Sequence, residues 1–232
     1  MRFEDLSWMD VEDYLERDDR LMLVFGACEQ HAYLSLLTDV RVPLALADMA
    51  AKQTGVLVAP SLNFGVSPYF LDYPGTLSLR TTTLTAVAED LVRSAFRHGF
   101  RRMLVLNGHG GNSPARHRLE ELNNELPALR LDWYDWWTSH SIEAVAREHD
   151  LKPEHANWLE AFSFTRVRDL PAGSKTPPKV PGAIMDAATV RKVYGDGSFG
   201  GAYAVSEAIM REILEAAQQD VLLLLEFGGN HS

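Results

Sequence analysis

Residues 104–112 read Leu-Val-Leu-Asn-Gly-His-Gly-Gly-Asn, an apolar run that stops at a glycine-rich turn centred on His109. A buried strand that opens into such a turn sets the histidine at its C-terminal edge, where open α/β sheets carry their chemistry. His109 is therefore a candidate metal ligand. A second cluster follows the apolar run 21–25, where Gly26-Ala27-Cys28 leads at once into Glu29-Gln30-His31 and then Thr38-Asp39. Two carboxylates and an imidazole within eleven residues are ligand types for zinc, manganese or iron. Glu154-His155-Ala156-Asn157-Trp158-Leu159-Glu160 is a third cluster.

Each cluster has a plainer reading. Surface loops often hold such residues. Glycine turns between strand and helix also bind phosphate through backbone N–H groups, although 108–113 lacks both the third glycine of a dinucleotide fingerprint and the lysine of a P-loop. On spacing alone the third cluster reads as an exposed helix start whose acids favour the dipole. Position favours the metal. Adjacent parallel strands would bring the turns after 25 and 106 together.

The elements needed for this are legible. Residues 7–17 carry Trp8, Val11 and Leu15 at helical spacing behind a Ser7 cap. Strands are expected over 21–25, 56–59, 102–106 and 129–134, the last ending in Trp133, Tyr134, Trp136 and Trp137. Helices are expected over 43–52, from Thr82 to a stop at Gly99 with Leu84, Val87, Leu91 and Ala95 inward, and over 113–126, 141–148 and 158–166. Residues 63–75 form a loop. The stretch 170–182 holds four prolines and is expected to be an irregular, lid-like loop. Residues 195–201 form a second flexible stretch. Val205, Ile209, Ile213, Ala217, Val221 and Leu225 then repeat every four residues along one closing helix. Strands alternating with helices predict an α/β fold with a mostly parallel sheet covered on both faces. No domain boundary is visible, and 1–232 is read as a single domain.

Composition narrows the class. A net charge of -10 over 232 residues argues against nucleic acid as a partner. The single cysteine, Cys28, excludes an internal disulfide and suits a reducing compartment. The acidic N-terminus is not a signal peptide, and the apolar run 221–225 is too short to span a membrane. The expectation is a cytoplasmic protein without a membrane partner.

Taken together, Glu29-Gln30-His31 with Thr38-Asp39, Tyr73-Pro74-Gly75-Thr76-Leu77-Ser78-Leu79, Asn107-Gly108-His109-Gly110-Gly111-Asn112, and Glu154-His155-Ala156 with Glu160 resemble the creatininase (creatinine amidohydrolase) family. The match runs in order from about Trp8 to Arg166. The resemblance implies a three-layer α/β/α domain, commonly hexameric, whose two divalent metal ions hydrolyse cyclic amides, formamides or related C–N bonds of a small-molecule substrate. Carried over by motif, Glu29 and His109 hold one metal, His31 holds the other, and Asp39 bridges them. Glu160 matches the glutamate of the family's His-Ala-Gly-x-x-Glu pattern and is taken as the remaining carboxylate ligand; in creatininase a glutamate two positions after the turn histidine plays that part, and that position is Gly111 here. His155 matches the family's acid–base histidine, with Glu154 beside it. Trp136 and Trp137 sit where creatininase has a substrate-covering tryptophan, with core packing as the alternative. Tyr69 and Phe70 belong to a loop resembling one that often has a histidine at the position of Phe70.

The chemistry suits these groups: a metal pair activates water and polarises a carbonyl, and a histidine can serve the leaving nitrogen. The departures lie at Ala32-Tyr33-Leu34, Asn157 and a span from Glu29 to Asp39 one residue shorter than usual. They favour a substrate other than creatinine. Rival expectations are a ring-opening C–C hydrolase or short-peptide peptidase with the same metals, and a catalytically silent binding protein. The other histidines read plainly: His98 as a helix-end dipole partner, His117, His140 and His149 on exposed helix faces, and His231 in the tail. Cys28 reads as a small residue packed beneath the site.

Overall fold

The computed structural model describes residues 1–182 and 184–228. His231 lies outside the described residues. Four parallel strands, β1 (Arg20–Phe25), β2 (Leu57–Val58), β3 (Arg102–Asn107) and β4 (Arg130–Asp135), form a sheet in the order β2-β1-β3-β4. Alternate residues of β1 and β3 feed two different cores, as the two-residue period of a strand requires. Met22, Val24, Leu104 and Leu106 pack against α2 (Thr38–Thr54), α5 (His140–Glu148) and α7 (Glu207–Leu224). Leu21, Leu23, Phe25, Met103 and Val105 face α1 (Trp8–Leu15), α3 (Thr81–His98) and α4 (Ser113–Glu125). The fold is three-layered α/β/α with a parallel sheet. Among the described residues no helix is long and apolar enough to cross a membrane.

Several elements differ from their sequence pattern. Helix α2 begins at Thr38, five residues before the expected Pro43. Proline lacks an N–H, so the acceptor it leaves free one turn back is the carbonyl of Asp39. The buried face of α3 is Leu84, Ala88 and Val92, while Leu91 is exposed. The strict four-residue spacing counted from Leu84 holds, and the expected face drifted one residue from it. In α1 it is Tyr14 that is buried, and Trp8 lies in solvent, 71 % exposed.

The expected helix over 158–166 is a single turn, Trp158–Glu160. Thr165 Oγ1 donates to the carbonyls of Glu160 (2.5 Å) and Phe162 (2.9 Å), and Arg166 Nε takes that of Ala161 (2.7 Å). Side chains thus occupy the acceptors a helix would use. Within 170–182, residues Ser174–Lys175 form β5, paired antiparallel with β6 (Gly201–Ala202), so the proline-rich stretch is not wholly irregular. Helix α6 (Ala187–Tyr194) is an element beyond those expected from the sequence pattern. Its signal was present: Asp186 caps Thr189 N at 2.7 Å, and Gly195 follows the last turn.

Candidate metal centre

Strands β1 and β3 lie side by side with Phe25 opposite Asn107, so the turns that follow them are neighbours. Two asparagines hold the glycine turn in shape. Asn107 Nδ2 donates to the His109 carbonyl (2.8 Å) and to Asp135 (2.7 Å), and its Oδ1 accepts the His109 N–H (3.3 Å). Asn112 Nδ2 reaches the Gly26 carbonyl at 3.2 Å, tying one turn to the other. The 73–79 segment braces the ligand loop: Thr76 Oγ1 accepts the Gln30 N–H (3.1 Å), and Leu77 N donates to Cys28 O (2.8 Å). Cys28 Sγ donates to Gly75 O at 3.4 Å, and partial burial raises its pKa.

Glu29, His31, Asp39, His109 and Glu160 converge and are all buried. Asp39 is at the centre, in the first turn of α2. Its Oδ1 is 2.9 Å from His31 Nε2, and its Oδ2 is 3.0 Å from His109 Nδ1. Glu29 Oε1 lies 3.5 Å from His109 Nδ1, and Glu160 Oε1 lies 3.8 Å from His31 Nε2. Glu29, Asp39 and His109 offer ligand atoms within 4.8 Å of one another, as do His31, Asp39 and Glu160. The short span from His31 to Asp39 therefore still brings Asp39 between the two histidines.

The surroundings fit divalent metal. Glu29 Oε2, His31 Nε2 and Asp39 Oδ2 are buried without a hydrogen-bond partner, a costly state unless a cation takes their lone pairs. Both histidines are oriented from behind: His31 Nδ1 lies 3.2 Å from Glu29 O, and His109 Nε2 lies 3.0 Å from Val66 O. Glu160 Oε2 accepts the Ala156 N–H at 2.6 Å.

Charge balances accordingly. Burial works against a charged His31, but Asp39 and Glu160 outweigh it and raise its pKa well above 6.5. Glu29 and Asp39 do the same for His109 against its burial. Asp39 is held far below the usual carboxylate range, since the pull of His31 and His109 overcomes burial. The cluster demands positive charge at its centre, which protons supply here and metal ions supply equally well.

Gly111 admits no side chain: a Cβ there would stand 2.0 Å from the Val66 carbonyl, the group that holds His109. The carboxylate that approaches His31 comes instead from Glu160, on the far loop.

His155 stands beside the cluster, its Nδ1 3.9 Å from Glu29 Oε1 and its ring 4.5 Å from that of His31. Burial first, and then the charge of His31, push its pKa down to about 4, so it is neutral at neutral pH. Glu154, its neighbour in sequence, pairs with Lys152 at 2.6 Å on the rim. The residue that does hold His155 is Gln30, whose Nε2 is 2.9 Å from His155 Nε2. Sequence spacing passed over Gln30, because a contact across 125 residues leaves no local trace.

A cleft of about 660 Å³ opens over these groups, walled by Tyr69, Phe70, Trp137 and Phe199 and rimmed by Glu143, Lys152 and Glu154. Phe70 stacks on His155 at 4.8 Å. Trp136 turns the other way, into the core against Phe162. The two tryptophans lie in the single turn Trp136–Thr138 that follows β4, and of the two only Trp137 lines the cleft. Phe199 belongs to the stretch 195–201, which lies against the site. Away from the site, His98 ends α3, His117 and His140 are exposed, and His149 pairs with Glu212 at 2.7 Å.

These features are those of one family. Residues 4–225 match the family described as creatininase, creatinine amidohydrolase, and the chain belongs to it. Creatinine amidohydrolase of Pseudomonas putida is 37% identical over 116 residues, covering 47% of this chain and 45% of that protein. A mycofactocin precursor peptide peptidase of Mycobacterium ulcerans is 31% identical over 168 residues, 68% of this chain and 64% of its own. The matched segments span about half to two thirds of these curated relatives. A crystal structure of creatinine amidohydrolase (creatininase) shares the fold with a TM-score of 0.81 at 24% identity, covering 99% of this chain and 98% of that one. A mutant creatininase of Zn-Zn type gives 0.81 at 25% identity, with 97% of each chain covered.

Proposed function

We propose that this protein is a two-metal amidohydrolase that cleaves an amide-like C–N bond in a small, cyclic substrate. The observation that carries the proposal is Asp39, whose two oxygens face two different histidines, 2.9 Å from His31 and 3.0 Å from His109. One carboxylate shared between two ligand sets is the arrangement of a bridged metal pair. Glu29 and His109 complete one set, and His31 and Glu160 the other. A bound pair supplies an activated water and a Lewis acid for the carbonyl. Zinc, manganese and iron all suit these donors.

The chain's own residues do the rest. His155 serves the departing nitrogen from beside Glu29. Tyr69, Phe70 and Trp137 offer flat apolar faces to a ring and shield it from bulk water. Growth in metal-replete medium followed by elemental analysis is expected to give about two divalent ions per chain. A panel of cyclic amides followed by mass spectrometry is expected to show gain of one water without loss of a fragment. Protein that neither carries metal nor takes it up on dialysis would overturn the proposal.

A second reading, a peptidase acting on a short modified peptide, is supported by the likeness to mycofactocin precursor peptide peptidases. The cleft is also roomier than a small ring requires. Release of two fragments from one substrate separates it from the first reading. The proposed setting is the cytoplasm, which the single cysteine suits, and the homohexamer implied by the family likeness is tested by analytical ultracentrifugation.

A further inference from the structure

Three imidazoles surround the carboxylates, and they are held in two opposite ways. His31 turns Nδ1 to the Glu29 carbonyl, and His109 turns Nε2 to the Val66 carbonyl. A carbonyl only accepts, so each outer nitrogen carries hydrogen and each inner nitrogen is left to coordinate. His155 is the reverse. Its Nε2 meets Gln30 Nε2, and the orientation of that amide is fixed from both ends. Gln30 Oε1 accepts the Ala32 N–H at 3.0 Å, and Gln30 Nε2 donates to the Gly197 carbonyl at 3.1 Å. The second amide hydrogen points at His155 Nε2, 2.9 Å away, which must accept it. The hydrogen of His155 is then on Nδ1, the nitrogen facing Glu29.

Distance alone would not separate the three histidines. Glu29, His31 and His155 offer ligand atoms within 4.8 Å of one another, as closely grouped as the other two sets. We propose that Gln30 is a positioning residue that decides what His155 does: by donating to Nε2 it keeps the hydrogen on Nδ1, bars His155 from metal ligation, and makes it a hydrogen-bond donor into the cleft. This inference rests on the metal-centre reading of the site. In this tautomer the inner nitrogen has no lone pair with which to take a proton from water. Its contribution is donation to the scissile group as charge collects there. Phe70 and Phe199, with ring centroids 4.8 and 4.9 Å away, keep the imidazole in register with Gln30.

The test is the tautomer itself, read by long-range proton–nitrogen correlation on zinc-loaded protein labelled with nitrogen-15 histidine. In the wild type, His155 is expected to show a bare Nε2 and a protonated Nδ1, while the inner nitrogens of His31 and His109 shift on zinc binding. Gln30→Glu keeps the shape and exchanges the donor for an acceptor. It is expected to reverse the His155 tautomer and bring a third histidine signal into the zinc-shifted set. Gln30→Met, which offers no donor, is expected to lose the single tautomer. A wild-type His155 with protonated Nε2 or zinc-bound Nδ1 overturns the inference, and so does a Gln30→Glu spectrum identical to wild type. Zinc content measured on the same samples reports separately on the metal-centre reading. Should zinc not bind, that reading fails, and the wild-type tautomer in metal-free protein still tests the role of Gln30.

Discussion

The backbone carbonyl of Asp39 lies 1.9 Å from where a Cβ on Gly108 would stand. The first turn of α2 therefore rests directly on the glycine that precedes His109, and Asp39 reaches both histidines because nothing separates the two backbones. Pro43, one turn further on, has no N–H to compete for that carbonyl.

Gly108→Ala is accordingly expected to push α2 off the sheet edge. Overpacking of this kind costs about 1–3 kcal/mol, and the displaced Asp39 should lower the metal content. Gly110→Ala is the internal control, since the nearest atom to its Cβ is Trp137 Cζ2 at 3.9 Å. Urea denaturation and elemental analysis of the two variants should separate them clearly.

Sharing predicts an asymmetry among ligand variants. Asp39→Asn weakens both proposed positions, whereas Glu160→Gln touches only the set around His31. Elemental analysis is expected to find close to no bound metal in the first and one ion retained in the second, as separate positions joined by one bridge require. Equal losses in the two variants would contradict a bridging Asp39.

Ala32 (φ 48°) and Ala156 (φ 54°), each directly after a site histidine, adopt the left-handed conformation. That conformation costs a residue with a Cβ about 1–2 kcal/mol, part of which glycine returns as extra freedom of the unfolded chain. Ala32→Gly and Ala156→Gly are each expected to stabilise the fold by about 0.5 kcal/mol, measured by chemical denaturation. Destabilisation by either would show that the Cβ is engaged in packing.

Acid sensitivity away from the site should centre on Glu89. Hydrogen bonds from Arg118 and Arg93 hold its carboxylate at a pKa of about 2, below the ordinary 4.5. Because the folded value is the lower one, its contribution is complete above pH 4.5 and is lost as pH falls through about 2. The stability gap between wild type and Glu89→Gln is expected to be flat near neutrality and to close across that acid window. Denaturation midpoints followed against pH test this.

Much was legible in the chain. The apolar runs that end at 25 and 106, the glycines at 26 and 108, and the ligand types that follow them are local properties. So are the period of α7 and the acceptors at Glu29, Asp39 and Glu160. What the sequence could not carry was contact across the sheet edge. Whether Asp39 stands at the mouth of a helix or in a loop before it depended on Pro43 being tolerated one turn inside α2. Glu154 stood beside His155 in sequence yet faces Lys152, while Gln30, remote in sequence, grips the ring. Trp136 and Trp137 look alike until the turn after β4 sends one to the core and the other to the cleft. Sequence by itself determined the residue types and the strand edges that bear them, because burial period and turn chemistry act over a few residues. Only the tertiary structure decided which nitrogen faces which oxygen, because hydrogen bonds between distant loops depend on the register of β1 against β3 and on the packing of α2 over both.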